Sequence, residues 1–112
     1  MKKVHAIVRE ERVADIVERL VLIGVRGLTI GSVKGFGRTS GHTEVFRGSA
    51  YKVDFVSKVQ IEWYGPDEKA DAVMRAIEQR AVTGKLGDGK IFVEDVEEAV
   101  RIRTGERGPN AA

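Results

Sequence analysis

Two blocks of regular apolar spacing, each reading strand, helix, strand, flank a stretch with no clean period of either kind. That arrangement constrains the fold more than any other feature of the chain. In the first block, Lys2 to Arg9 sets Val4, Ala6 and Val8 against His5, Ile7 and Arg9, the alternation of a half-buried strand. Glu10 and Glu11 introduce a helix, where acids suit the positive end of the dipole. Val13, Ile16, Val17 and Leu20 form its apolar stripe, and Gly24 is the expected stop. Leu28 to Phe36 reads as a second strand ended by Gly35. The second block opens with the clearest strand, Val56 to Tyr64. There Val59, Ile61 and Trp63 face one way and Lys58, Gln60, Glu62 and Tyr64 the other. Gly65-Pro66-Asp67-Glu68 starts a helix with proline at its first position, and Ala70, Val73, Met74 and Ile77 form the buried stripe. It ends before Thr83-Gly84, and Ile91-Phe92-Val93 follows as a strand. Glu97-Glu98 reads as a turn or helical stub, and Val100 to Arg103 as a short extra strand. The order implies an α+β, ferredoxin-like (split βαβ) plan: an antiparallel sheet with two helices on one face.

The central stretch, Gly35 to Phe55, reads GFGRTSGHTEVFRGSAYKVDF. It connects the second and third strands with roughly twenty residues, where a compact domain normally uses ~4–6. Connections of that length are functional or disordered, and a hairpin within it is the other reading. Phe46 and Tyr51 argue against a plain linker, since linkers are poor in aromatics. Tyr51, Val53 and Phe55 alternate with Lys52 and Asp54, so the stretch is expected to return as a strand edge.

A chain of 112 residues makes one domain, and 42% hydrophobic residues suffice for a core. A domain this small gains from association with other copies. Nineteen basic and seventeen acidic residues give a mixed surface, not the basic stripe of a nucleic-acid binder. No cysteine is present, which removes disulfides and thiolate chemistry. No apolar run is long enough to span a membrane, and Met1-Lys2-Lys3-Val4-His5 does not open a signal peptide; the expectation is a cytoplasmic protein without membrane insertion.

The residues with chemical potential are cationic and glycine-rich. Thr83 to Lys90, TGKLGDGK, sets Gly84, Gly87 and Gly89 around Asp88, with Lys85 and Lys90 for charge. Successive N–H groups in such a turn make an anion-binding nest, although the spacing is not a Walker A motif and a plain turn is the alternative. Arg101 and Arg103, two apart on the expected strand, would share a face about 7 Å apart. Guanidinium groups match phosphate oxygens, and ion pairs with Glu97 or Glu106 are the alternative. Arg38 and Lys58 are further candidate cations. His5 and His42 lack metal-ligand spacing and read as a satisfied sheet residue and a solvated loop residue. No nucleophile, base and orienting group come together in the sequence, and no carboxylate dyad is evident.

Taken together, these segments make the chain resemble the PII nitrogen-regulatory signal-transduction family from Met1 to about Gly108. The resemblance lies in VKGFGR (Val33 to Arg38), GHTEVFRG (Gly41 to Gly48), Tyr51, TGKLGDGKIFV (Thr83 to Val93) and RIRTGERG (Arg101 to Gly108). It implies a homotrimer that binds ATP or ADP in clefts between subunits, with 2-oxoglutarate joining ATP through magnesium. By matching motif, the adenine end involves Ile7, Thr29 and Tyr64. Gly35, Phe36, Gly37, Arg38, Glu62, Gly87, Asp88, Gly89, Lys90, Arg101 and Arg103 complete the nucleotide site. Lys58 would meet the 2-oxoglutarate carboxylate. The resemblance further implies one PII-like domain over residues 1–112. Its parts are a regulatory loop at about 37–55, a nucleotide loop at 83–90 and a C-terminal loop at 101–112. The regulatory loop would act on an ammonium channel or a nitrogen-assimilation enzyme. Tyr51 and Ser49 match modification sites in the family.

This sequence departs from the family pattern at several positions. Thr39 stands where a magnesium-holding glutamine is common, Trp63 and Tyr64 where aliphatics are usual, Val82 where a basic residue is common, and Phe46 for a frequent second tyrosine. The implied protein is a sensor, not an enzyme. Its rivals are a divergent adenylate sensor that does not bind 2-oxoglutarate, a slow ATPase using Glu62 or Lys90, a ferredoxin-like RNA-binding module and a ligand-free trimeric adaptor.

Overall fold

The computed structural model of the chain describes residues 1–36, 45–46, 50–51 and 55–112. Strand β1 (Lys2–Val8) buries Val4, Ala6 and Val8 and leaves the intervening residues half-buried, as the alternation requires. A single 3-10 turn, Glu10–Arg12, precedes helix α1 (Val13–Leu22), so the α-helix begins later than the acidic pair suggests. Arg12 Nε donates to the Arg80 carbonyl at 2.7 Å and ties this entry to the far end of the second helix. The exit is a Schellman cap. Gly24 N–H donates to Val21 O and Val25 N–H to Leu20 O, both at 3.0 Å, with Gly24 at φ +96°. Val25 packs back on the core, supplying the apolar contact that accompanies this cap.

Strand β2 (Thr29–Gly35) follows, then two short paired strands, β3 (Val45–Phe46) and β4 (Ala50–Tyr51), with Val45 opposite Tyr51. The central stretch therefore contains a small antiparallel pair, one of the two readings open from sequence; Val53 lies outside the described residues. Strand β5 (Val56–Gly65) is the longest strand described. Helix α2 (Asp67–Ala81) starts one residue after Pro66, which is extended at ψ 150° and serves as the N-cap rather than the first helical residue. Asp67 also meets the N-terminal ammonium group at 2.8 Å. Strand β6 (Lys90–Asp95) completes the sheet.

The sheet order is β2-β5-β1-β6, every neighbouring pair antiparallel, and both helices lie on one face. This is the ferredoxin-like plan. Ile16 and Leu20 of α1, Val73 and Ile77 of α2, and Val4, Val8 and Ile61 of the sheet are essentially inaccessible. Each such side chain contributes about 1.5–3 kcal/mol relative to exposure.

The C-terminal part differs from expectation. Val100 forms a lone antiparallel bridge with Arg107, and residues 102–104 are turn, closed by Arg101 N–H to Glu106 O (2.8 Å) and Gly105 N–H to Arg101 O (2.7 Å). The alternation of Val100 and Ile102 with arginines thus belongs to a tight hairpin, not a strand. Ile102 at its tip is fully exposed, because no neighbouring strand offers a face to bury it. Glu97-Glu98 forms neither turn nor helical stub.

Candidate functional site

The register sorts the candidate residues. Lys58, Gln60, Glu62 and Tyr64 alternate with buried Val59, Ile61 and Trp63, so they occupy the helix-free face. The pairs His5 with Glu62, Ile7 with Gln60, Ile7 with Lys90, and Thr29 with Glu62 place Ile7, Thr29 and Lys90 on that face too. Along the strands the candidates fall into two groups, with Ile7 and Lys90 level with Gln60, two positions from Glu62, and Gly35 further off. Gly35 and Thr29 are six positions apart on β2, about 20 Å of strand.

The first group surrounds the turn before β6. Lys58 donates to the carbonyl of Gly87, and its stem passes beside Gly35. Arg9, at the end of β1, donates to the Asp88 carboxylate from Nε at 3.0 Å and to the Leu86 carbonyl from a terminal nitrogen at 2.7 Å. Asp88 closes the turn on itself, accepting from the Thr83 hydroxyl, Thr83 N–H (2.7 Å) and Gly84 N–H (2.9 Å). The Thr83 hydroxyl first, then the Thr83 amide, Arg9 and the Gly84 amide hold its carboxyl well below the usual carboxylate range. Asp88 is therefore committed to shaping the turn. Gly89 is obligatory: at φ +100°, a Cβ there would sit 1.8 Å from the Ile7 carbonyl oxygen. Lys90 is exposed beside this turn and pairs in register with Ile7. Phe36, also exposed, packs obliquely on Phe55 with ring centroids 6.4 Å apart.

The second group lies at the other end of β5. Thr29, Glu62, Tyr64 and Arg101 line one groove of about 900 Å³. Glu62 accepts from Tyr64 Oη at 2.7 Å and from Gln60, and faces Lys3 at 3.7 Å; the Tyr64 hydroxyl is the chief cause of its lowered pKa, against the opposing effect of burial. Tyr64 is raised in turn, first by that bond and then by burial. Lys3 sits 5.9 Å above the Tyr64 ring. With three partners, Glu62 is not arranged as a general base. Arg101 donates to the Asn110 carbonyl at 3.1 Å and faces Glu106 at 3.6 Å, while Arg103 is exposed on the same hairpin. The ion pair with Glu106, one alternative from sequence, is present; it occupies one face of a planar group with five donors.

Gly37, Arg38, Thr39, His42 and Ser49 lie outside the described residues, and for Tyr51 only the backbone pairing is described. His5 departs from the expected satisfied sheet residue: its Nε2 is buried without a hydrogen-bond partner among the described residues. Arg9 is the residue sequence reasoning missed. It closes a strand, where periodicity carries no signal, and its two contacts lie nearly eighty residues away. Among the described residues no three His, Cys, Asp or Glu side chains group to hold a metal. None of the described helices is long and apolar enough to cross a membrane.

An antiparallel split βαβ sheet with two helices on one face, whose helix-free face carries a glycine turn gripped by cations, defines a small ferredoxin-like α+β domain. The chain belongs to the P-II family: the family model for nitrogen regulatory protein P-II matches residues 1–106. The nitrogen regulatory protein P-II of Rhizobium meliloti (strain 1021) is 50% identical over 111 residues, 99% of each chain. The nitrogen regulatory protein P-II 1 of Escherichia coli (strain K12) is 51% identical over 106 residues, 95% of each chain. The crystal structure of Arabidopsis thaliana PII bound to citrate has a TM-score of 0.81 and 40% identity, covering 99% of this chain and 91% of that one. The resemblance carried by the sequence motifs is thus a family membership, and the protein is a nitrogen-regulatory signal-transduction protein.

Proposed function

We propose that the protein is a homotrimeric cytoplasmic sensor that binds ATP or ADP between subunits. It reports the bound state through residues 37–55 to nitrogen-metabolism targets, an ammonium channel or a nitrogen-assimilation enzyme. The observation that carries this reading is the division of the candidate residues into two incomplete half-sites. The turn end offers Gly35, Gly87, Gly89, Lys58 and Lys90; the groove end offers Thr29, Glu62, Tyr64, Arg101 and Arg103. One chain holds Gly35 and Thr29 about 20 Å apart along β2, which supports a site that takes one half from each of two copies. The helix-free face supports association as well, since it carries Ile7, half-exposed Phe92 and the unpartnered His5 Nε2.

The residues fit an adenine nucleotide. Lys90 and the glycine turn suit phosphate oxygens, and Arg101 with Arg103 add guanidinium donors from the facing copy. The groove beside Thr29 and Tyr64 suits a planar base, with Ile7 as an apolar contact from the turn end. Lys58 also suits a carboxylate, and the citrate held by the Arabidopsis relative is a carboxylate ligand. We assign 2-oxoglutarate to Lys58 on that basis. Magnesium, when bound, would neutralise phosphate charge; since no carboxylate cluster occurs among the described residues, we assign its holding to the nucleotide, 2-oxoglutarate and Thr39. A ligand shifts the loop only through contacts that differ between its states, so ATP with 2-oxoglutarate and ADP favour different loop ensembles. Tyr51 and Ser49 are proposed modification positions within that loop. The commitment of Glu62 to Tyr64, Gln60 and Lys3 favours a sensor over an ATPase.

Calorimetry tests the reading with ATP, with ADP, and with ATP–magnesium plus 2-oxoglutarate, on protein whose mass in solution is measured. A trimer that binds all three is expected. Nucleotide binding without 2-oxoglutarate selects the adenylate-sensor reading, and a trimer indifferent to every nucleotide overturns the proposal.

A further inference from the structure

Two cations hold the backbone carbonyls of the turn from Leu86 to Asp88. Arg9 takes the Leu86 carbonyl at 2.7 Å, and Lys58 takes the next carbonyl, that of Gly87. Arg9 also holds the Asp88 carboxylate at 3.0 Å, so it grips the turn on both sides of Gly87. Its side chain is 24% exposed, and Glu11 is a further contact at 4.0 Å. No cis peptide occurs among the described residues. In a planar trans peptide the C=O and the following N–H point in opposite directions. If the Leu86 carbonyl faces Arg9, the Gly87 N–H faces away from it. If the Gly87 carbonyl faces Lys58, the Asp88 N–H faces away from that lysine. Neither N–H donates to another group among the described residues. Two successive outward N–H groups are the elements of an anion nest.

We infer that Arg9 is the positioning residue of this anion site: by holding the Leu86 carbonyl and the Asp88 carboxylate it turns the Gly87 N–H outward toward phosphate. The inference rests on the nucleotide reading above and deepens it, because Arg9 itself touches no phosphate in this arrangement. Its influence is carried by the direction of a peptide plane. Removing it leaves that peptide free to rotate, and glycine permits the rotation at low cost.

The test is a ligand ladder on the full-length protein: adenosine, ADP and ATP titrated by calorimetry into wild type, Arg9→Gln and Arg9→Lys. The expected result is a loss of roughly tenfold or more for ADP and ATP in Arg9→Gln, the scale of a charge-assisted hydrogen bond, with adenosine unchanged. Arg9→Lys restores part of the loss, since an ammonium can hold one of the two acceptors. Amide NMR supplies a second readout: pyrophosphate moves the Gly87 and Asp88 N–H resonances in wild type and not in Arg9→Gln. Unchanged ATP affinity in Arg9→Gln overturns the inference and leaves the nucleotide reading standing. A parallel loss of adenosine also overturns it, since Arg9 would then merely support the fold. If Arg9→Gln fails to fold, Asp88→Asn takes its place in the ladder with the same two criteria. Wild type that binds no nucleotide removes both readings together.

Discussion

The two ends of the helix-free face solve the same chemical problem in opposite ways. At the turn end, the cations Arg9 and Lys58 are spent on backbone and carboxylate oxygens, and the turn they hold presents its N–H groups. At the groove end, the cations stay on an exposed hairpin, and Arg101 keeps only a carbonyl and one carboxylate as partners. One half-site is preorganised backbone; the other is adaptable side chain. On the proposed reading, the difference teaches that neither half is a site by itself. Rigid N–H donors without guanidinium charge bind anions weakly, and exposed arginines without a fixed floor lack selectivity for where the phosphates sit.

Breaking the rigid end should have the largest effect. Gly89→Ala places a Cβ on the Ile7 carbonyl oxygen at φ +100°, so β1 and β6 must separate. We expect at least about 3 kcal/mol of lost stability by urea unfolding. Gly84→Ala, at φ +85° but facing open space, should cost only about 1–2 kcal/mol. The contrast isolates the close approach from the backbone strain the two share. Next come the exposed cations. Lys90→Ala and Arg101→Ala should each weaken ATP by roughly tenfold or more while moving stability by less than ~0.5 kcal/mol. Equal losses of stability and affinity would break the distinction between presented and structural cations.

The pH dependence of the turn follows from Asp88. Its folded pKa is depressed, so the stabilisation it gives is complete above the ordinary carboxylate pKa of 3.8 and is lost as pH falls below that value. Thermal unfolding of wild type and Asp88→Asn should therefore differ most at neutral pH and converge in acid. A gap that widens in acid would contradict the ion-pair geometry. Tyr64→Phe, which removes an exposed hydrogen bond to Glu62, should cost less than ~1 kcal/mol of stability by urea unfolding.

Much of this was legible in the chain because periodicity reports burial. Val4, Ala6 and Val8, and Val59, Ile61 and Trp63, announced their faces, and the order of elements left few topologies open. The glycine turn was legible as a motif, but its grip was not. Arg9 and Lys58 reach it across the sheet, and such tertiary contacts leave no local spacing. The C-terminal hairpin was misread for a related reason. Alternation of apolar and charged residues signals a strand only where a neighbouring strand provides a face, and Val100 finds only the bridge to Arg107. His5 shows the same limit: its position on a strand is plain from sequence, and the absence of a partner for Nε2 is visible only once the sheet is assembled.

The central claim is that each nucleotide site joins the turn end of one copy to the arginine hairpin of another. Mixing the separately weakened Lys90→Ala and Arg101→Ala chains, after denaturing and refolding them together, tests it directly. In randomly mixed cyclic trimers about a quarter of the clefts then pair an intact turn with an intact hairpin. The account predicts ATP binding of wild-type affinity at about that fraction of sites, where each variant alone shows only the weakened affinity. If the mixture binds no better than its components, both half-sites belong to one chain and the account is wrong.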